Sequence, residues 1–323
     1  MKRILATLAI LWTVSAALPV RAVELDSALP SYKATSGVSG TIKSVGSDSL
    51  NNLMTLWAEG FRGQYPNVTA EIEGKGSSTA PPALIAGTSN FGPMSRQMKS
   101  KEKDAFVKKF GYEPTAARVA VDALAVFVNK DNPVECLSLD QLDAIFSKTR
   151  RRGAPAPALT WGDVGVTGTW ANKPISLYGR NSASGTYGYF KKVALKKGDY
   201  RDTVKEQPGS SAVVQSVATD TYGIGYSGIG YKTADVKAVA LSKKKGAPCY
   251  AAAADNAYSG RYPLARFLYV YTNKKPNEDL DPLRAEFFKY IFSKRGQEVV
   301  VKDGYYPVSR LLAEQDLKKL GIR

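Results

Sequence analysis

The sequence predicts an α/β fold with largely parallel sheets. Three observations carry that expectation. Short β-rich runs alternate with amphipathic helices. Turns rich in Ser, Thr and Gly stand where the runs give way to helices. One long, almost continuous apolar run, Val119 to Val128, sits in mid-chain and suits a strand buried along much of its length.

Taken in order, Thr41 to Val45 reads as a strand that ends in Gly46-Ser47-Asp48, and Leu50, Leu53, Met54, Trp57 and Phe61 follow at helical spacing. Val68 to Glu73 is a second strand, closed by Gly74-Lys75-Gly76-Ser77-Ser78-Thr79. Pro81 and Pro82 then fit only the first turn of a helix, where no intrahelical N–H is needed. Phe91-Gly92 ends a third apolar step and leads through Met94-Ser95-Arg96 into a charged helix from Lys101 to Phe110. The run from Val119 to Val128, with Asp122 inside it, would cross between two domains. Ser138-Leu139-Asp140-Gln141 is a capping box opening a helix to Phe146. After a Gly/Pro/Ala-rich loop from Gly153 to Gly168, Ile175 to Tyr178 forms a strand feeding YGRNSASGTYGYF. Val213 to Val217 reads as a short helix, and Tyr222 to Tyr226 as a glycine-spaced strand approached closely by another backbone. Leu268 to Tyr271 is the return strand, and Leu283, Phe287, Phe288 and Ile291 mark an amphipathic helix near the C-terminus.

The first 22 residues have a basic start, an apolar run of signal-peptide length and small residues before the expected cut. They read as a cleaved secretion signal, residues 1–22, with a retained membrane anchor as the rival; the run is shorter than the ~20 residues that span a bilayer. A mature chain of about 300 residues usually means two domains. The chain has 45 Lys and Arg against 29 Asp and Glu, so anionic partners have to be considered. The basic residues are nevertheless spread along the chain, and the dense runs at Lys148–Arg152 and Lys243–Lys245 sit in loop-like sequence. They read as solvated loops, with attraction to an acidic envelope as the alternative, and nucleic acid is not expected as a partner.

Histidine is absent and there are only two cysteines. A histidine base, a Ser-His-Asp triad, a Cys-His pair and the usual zinc sets are therefore excluded, so neither a metal nor a catalytic centre is expected. In an oxidising compartment Cys136 and Cys249 are expected to form a structural disulfide, with two buried free thiols as the alternative.

The segment Tyr178 to Phe190 places Arg180, Ser184, Gly185 and Thr186 where a strand hands over to a helix. Backbone N–H groups at a helix start point outward unpaired, and the helix dipole favours negative charge there, so such a junction can grip an oxyanion without metal. It can also be an ordinary N-cap. Related turns recur at Gly46–Ser49 and Gly76–Thr79, with Ser95-Arg96 as a fourth candidate. In open α/β sheets these turns would converge on one crevice outside the strand ends. None has the GxxxxGK[ST] pattern, which disfavours nucleotide hydrolysis.

Over nearly the whole mature chain the sequence resembles the periplasmic phosphate-binding proteins of ABC importers, the PstS-type branch of the class II solute-binding superfamily. The resemblance rests on VGSDSLNNLMTLWAEGF, EIEGKGSSTAPPALIAGTSNFGPMSRQM, NPVECLSLDQLDAIFS, YGRNSASGTYGYF, YGIGYSGIGY and RYPLARFLYVYTN. It implies a two-domain clamp with mixed, mostly parallel sheets and a two-segment hinge. Residues 23–120 and 258–323 would form domain I, and residues 121–257 an inserted domain II. It implies phosphate as ligand, no cofactor and no catalysis, a periplasmic monomer, and an ABC permease in the inner membrane as partner. By position it implies ligand contacts from Ser47, Asp48, Ser49, Ser77, Ser95 and Arg96 in domain I, and from Arg180, Ser184, Gly185 and Thr186 in domain II.

Two departures accompany the resemblance. Many members carry an acidic residue in the third loop that accepts the proton of the phosphate; here that stretch is Met94-Ser95-Arg96. The acid often found close after the binding arginine is replaced by Asn181-Ser182, so Arg180 needs other partners. Asp48 is the only carboxylate in these turns, and it is either that acceptor or a helix cap. The competing readings are a phosphatase or phosphoryl-transfer enzyme using a loop serine, and an oxyanion-binding envelope adhesion or sensor protein.

Overall fold

The computed structural model describes residues 23–322. The expected secretion signal, residues 1–22, lies outside them. No helix among the described residues is long and apolar enough to cross a membrane.

Strand β1 (Gly40–Val45) pairs in parallel with β2 (Val68–Glu73), and helix α1 (Asn51–Arg62) between them buries Leu53, Met54, Trp57, Ala58 and Phe61 on one face. Helix α2 (Ala80–Ala86) carries Pro81 and Pro82 in its first turn and ends at the left-handed Gly87. Strand β3 (Gly92–Met94) and helix α3 (Ser100–Phe110) follow. Strand β4 (Thr115–Asn129) is buried without interruption from Val119 onward, as its apolar composition requires.

Beyond it come β5 (Cys136–Ser138) and α4 (Leu139–Phe146), opened by the expected capping box: Ser138 accepts from the Gln141 N–H and Gln141 reaches back to the Ser138 N–H. Strand β6 (Ser176–Arg180) leads into α5 (Gly185–Val193), then β7 (Lys205–Gln207), α6 (Ser210–Thr219), β8 (Gly223–Gly228), β9 (Val236–Ala238) and β10 (Ala240–Ser242). Helix α7 (Ala254–Tyr258) precedes β11 (Ala265–Thr272), and α8 (Pro282–Ile291), α9 (Lys294–Lys302) and α10 (Arg310–Lys319) close the chain.

The sheets are mixed. The largest runs β3-β11-β4-β8-β6-β7, with β9 also on β4. Strand β4 pairs antiparallel with β11 over Thr115–Ala123 and with β8 over Leu124–Val128, while β6 is parallel to both β7 and β8. One strand thus serves two centres of packing. The first gathers Trp57, Phe61, Phe91, Phe287 and Phe288. The second gathers Phe146, Trp161, Phe190, Tyr226 and Tyr262. The chain around each centre is a lobe, and β4 and β11 run between them.

Cys136 and Cys249 form a disulfide with Cα atoms 6.2 Å apart, closing 113 residues of the second lobe. β5 and β10 pair in parallel and bring the two cysteine-bearing segments side by side.

Candidate anion-binding site

The Ser-, Thr- and Gly-rich turns of both lobes meet. Gly76 of the first lobe sits at φ 111°, and a Cβ there would lie 2.7 Å from the Ala183 carbonyl oxygen. The Ser78 N–H donates to that same carbonyl at 3.1 Å, crossing between the lobes. A Cβ at Gly185 would come within 2.2 Å of Ser77 Oγ and 2.6 Å of Ser95 Oγ. Glycine at the first residue of α5 is therefore what lets the helix N-terminus reach the hydroxyls of the opposite lobe.

The hydroxyls here are set as donors. Ser77 Oγ accepts from the Ser95 N–H at 3.0 Å. Ser184 Oγ caps α5 by accepting from the N–H groups of Thr186 (3.1 Å) and Tyr187 (3.3 Å). Thr186 Oγ1 accepts from Arg266 Nη2 at 3.0 Å. A hydroxyl has one proton and two lone pairs, so each of these oxygens, already accepting from nitrogen, still has its proton to donate. Ser49 Oγ lies 2.9 Å from Thr186 Oγ1, and Ser77 Oγ 3.3 Å from Ser95 Oγ. Ser47 is buried beside them, its N–H on the Pro93 carbonyl at 2.8 Å.

Arg180, at the end of β6, is 2 % exposed. Nη1 donates to Ser210 Oγ at 2.7 Å and Nη2 to the Pro208 carbonyl at 3.2 Å, which answers how it is oriented without an acid at Asn181-Ser182. Its Nε is buried and finds no acceptor among the described residues. Burial lowers the Arg180 pKa and Asp48 opposes that shift.

Asp48 acts across the two lobes rather than within its own turn. It does not cap its own helical turn. Instead Oδ2 accepts from the Ser210 N–H at 2.7 Å, at the start of α6 in the other lobe, and lies 3.1 Å from Arg180 Nη1. Its backbone carbonyl accepts from Tyr231 Oη at 2.9 Å.

Arg96, in the third loop, is held by an acid. Both terminal nitrogens bond Glu102 at 2.7 Å, and Nη2 also donates to Ser78 Oγ. A carboxylate six residues away matches the guanidinium fork. The adjacent Ser95 stays in the cluster, wholly buried.

Three further residues join the site. Asp122 and Arg266 are register partners on β4 and β11, with Arg266 Nε 2.8 Å from Asp122 Oδ2. Burial pushes the Asp122 carboxyl up, while Arg266 and the Ile229 N–H pull it down. A charge inside an apolar run was the visible signal for Asp122; nothing local marked Arg266 or Ser210.

The arrangement is a desolvated cluster of hydroxyl and guanidinium donors shared by two lobes. A family model described as a PBP superfamily domain matches residues 31–295. The chain belongs to the PBP superfamily. It is 59 % identical, over all of its own length and 99 % of the relative's, to the phosphate-binding protein PstS of Pseudomonas aeruginosa. Among solved structures it is similar to a possible phosphate binding protein from Planctomyces limnophilus, with 30 % identity, a TM-score of 0.63, and 88 % of this chain and 99 % of that one covered. It also shares the fold of a putative phosphate ABC transporter substrate-binding protein from Clostridium perfringens, solved with bound phosphate. There the identity is 24 % and the TM-score 0.69, over 84 % of this chain and all of that one. In this superfamily member the serine- and threonine-rich turns of the two lobes are in direct contact.

Proposed function

We propose that this protein captures inorganic phosphate between its lobes and delivers it unchanged to an ABC importer in the inner membrane. It acts as a periplasmic monomer after residues 1–22 are removed, and it needs neither cofactor nor metal. The observation that carries the reading is the convergence of Ser49, Ser77, Ser95, Ser184, Thr186 and Arg180 around the N-terminus of α5, with a buried guanidinium nitrogen left without an acceptor. A tetrahedral oxyanion presents several acceptors at once and suits such a set. The name of the Pseudomonas relative supports phosphate as that anion.

We assign ligand contacts to Ser47, Ser49, Ser77, Ser95, Arg180, Ser184, Gly185 and Thr186, with Asp48 as the acceptor for the proton of the ligand. We place the first crossing near residue 120, and the return in β11 rather than at residue 258, because Tyr262 and Leu264 pack with the second lobe. Calorimetric titration of the ligand-stripped mature protein tests the proposal: it predicts tight, stoichiometric binding of phosphate and weak binding of sulfate and molybdate. Absence of phosphate binding would end it.

A further inference from the structure

We infer that Arg266, held by Asp122, is a positioning residue that makes the closed cleft a cavity of donors by taking up one acceptor from each lobe. The inference rests on the phosphate reading above. Arg266 lies on a hinge strand, yet its hydrogen bonds reach both sides. Nη1 donates to the Ser95 carbonyl of the first lobe at 2.9 Å, and Nη2 to Thr186 Oγ1 of the second at 3.0 Å. Asp122, its register partner, takes Nε at 2.8 Å and fixes its own second oxygen on the Ile229 N–H at 3.0 Å. The guanidinium also lies over the Tyr189 ring of α5, 5.3 Å from its centroid.

A pair serving stability alone would need only Asp122. The two remaining contacts matter for an anion. Carbonyl and hydroxyl lone pairs facing an oxyanion repel it, and an arginine, which can only donate, removes both at once. With one lone pair on Arg266, the Thr186 hydroxyl keeps its proton to donate, to the anion or to Ser49 Oγ at 2.9 Å. Because the two acceptors belong to different lobes, this polarisation is complete only when the lobes are together, and it ties the donor set to closure.

The test is a double-variant cycle read by phosphate titration of stripped protein. Wild type, Thr186→Val, the neutral pair Asp122→Asn/Arg266→Gln, and all three changes together are compared. Replacing the two charges together avoids leaving one buried and unpaired. The inference expects the neutral pair and Thr186→Val each to weaken phosphate by about tenfold or more, and Thr186→Val to add little in the neutral-pair background. Additive losses, or wild-type affinity in the neutral pair, would overturn it. Should the neutral pair not fold, Arg266→Lys keeps the charge but cannot reach both acceptors. Weakened phosphate binding with a smaller Thr186→Val effect supports the inference, and wild-type affinity overturns it. If wild type itself fails to bind phosphate, it is the proposed function that falls.

Discussion

The Asp48 carboxylate of one lobe lies 3.1 Å from the Arg180 guanidinium of the other, and the same oxygen accepts the first N–H of α6. On the proposed phosphate reading, a contact of this kind would close the clamp and set a negative charge beside the ligand. A carboxylate next to an anion repels it unless the anion brings a proton to share, and in a desolvated cleft that penalty falls on the unprotonated competitor. Asp48→Asn can still accept from the Ser210 N–H but removes the charge. It should raise affinity for sulfate more than it changes affinity for phosphate. Competition assays in which both proteins exclude sulfate equally would reduce Asp48 to a closure contact.

Arg180→Ala should weaken phosphate by about 2–5 kcal/mol, the range for a buried, hydrogen-bonded charge taken from one side of an interface. The stripped variant should also melt lower, because Asp48, Ser210 Oγ and the Pro208 carbonyl lose a buried partner, so affinity is compared at a temperature where both proteins are folded. Wild-type affinity in this variant would remove Arg180 from the site.

The disulfide closes a loop spanning 113 residues. Chain-entropy reasoning gives such a cross-link a stabilisation on the order of 4 kcal/mol. Replacing Cys136 and Cys249 by serine should lower the melting temperature by roughly 10 °C. Phosphate affinity at 25 °C should hold, since neither cysteine is among the residues assigned to the site. A melting curve unmoved by the double change would show that the bond adds nothing.

Asp303, at the end of α9, is pushed up to about 6 by burial, against the pull of the Asn52 amide. Its folded pKa exceeds its ordinary value of 3.8, so the folded state holds the extra proton. The stability this contributes is complete below pH ~4 and is lost as pH rises through about 6. Asp303→Asn should flatten that window: relative to wild type, its melting temperature should be higher at pH 7.5 than at pH 4. An equal difference at both pH values would contradict the assignment.

What the sequence disclosed depended on how local each feature is. β2 spans the expected Val68–Glu73, and α1 buries Leu53, Met54, Trp57 and Phe61, whose spacing predicted it, with Leu50 in the turn just before its start. The strands β5, β7, β9 and β10 are three residues each, too short for a period to show. α9 begins Lys-Arg-Gly, which hides a helix whose cap is Ser293. The serine turns were legible because a strand end, a glycine and a cap sit within a few residues. Arg266 and Asp122 meet only through the register of two strands 144 positions apart, and Ser210 only through contact between lobes. For Arg96 the sequence showed a cation beside the turn and Glu102 six residues on, but not the two-pronged bond that joins them.

The central claim is that phosphate is held jointly by the two lobes. Small-angle scattering of the stripped protein, with occupancy followed by phosphorus NMR, tests it most directly. The account predicts that stoichiometric phosphate reduces the radius of gyration and that the same concentration of sulfate does not. Phosphate bound at full occupancy with no change in radius would contradict it.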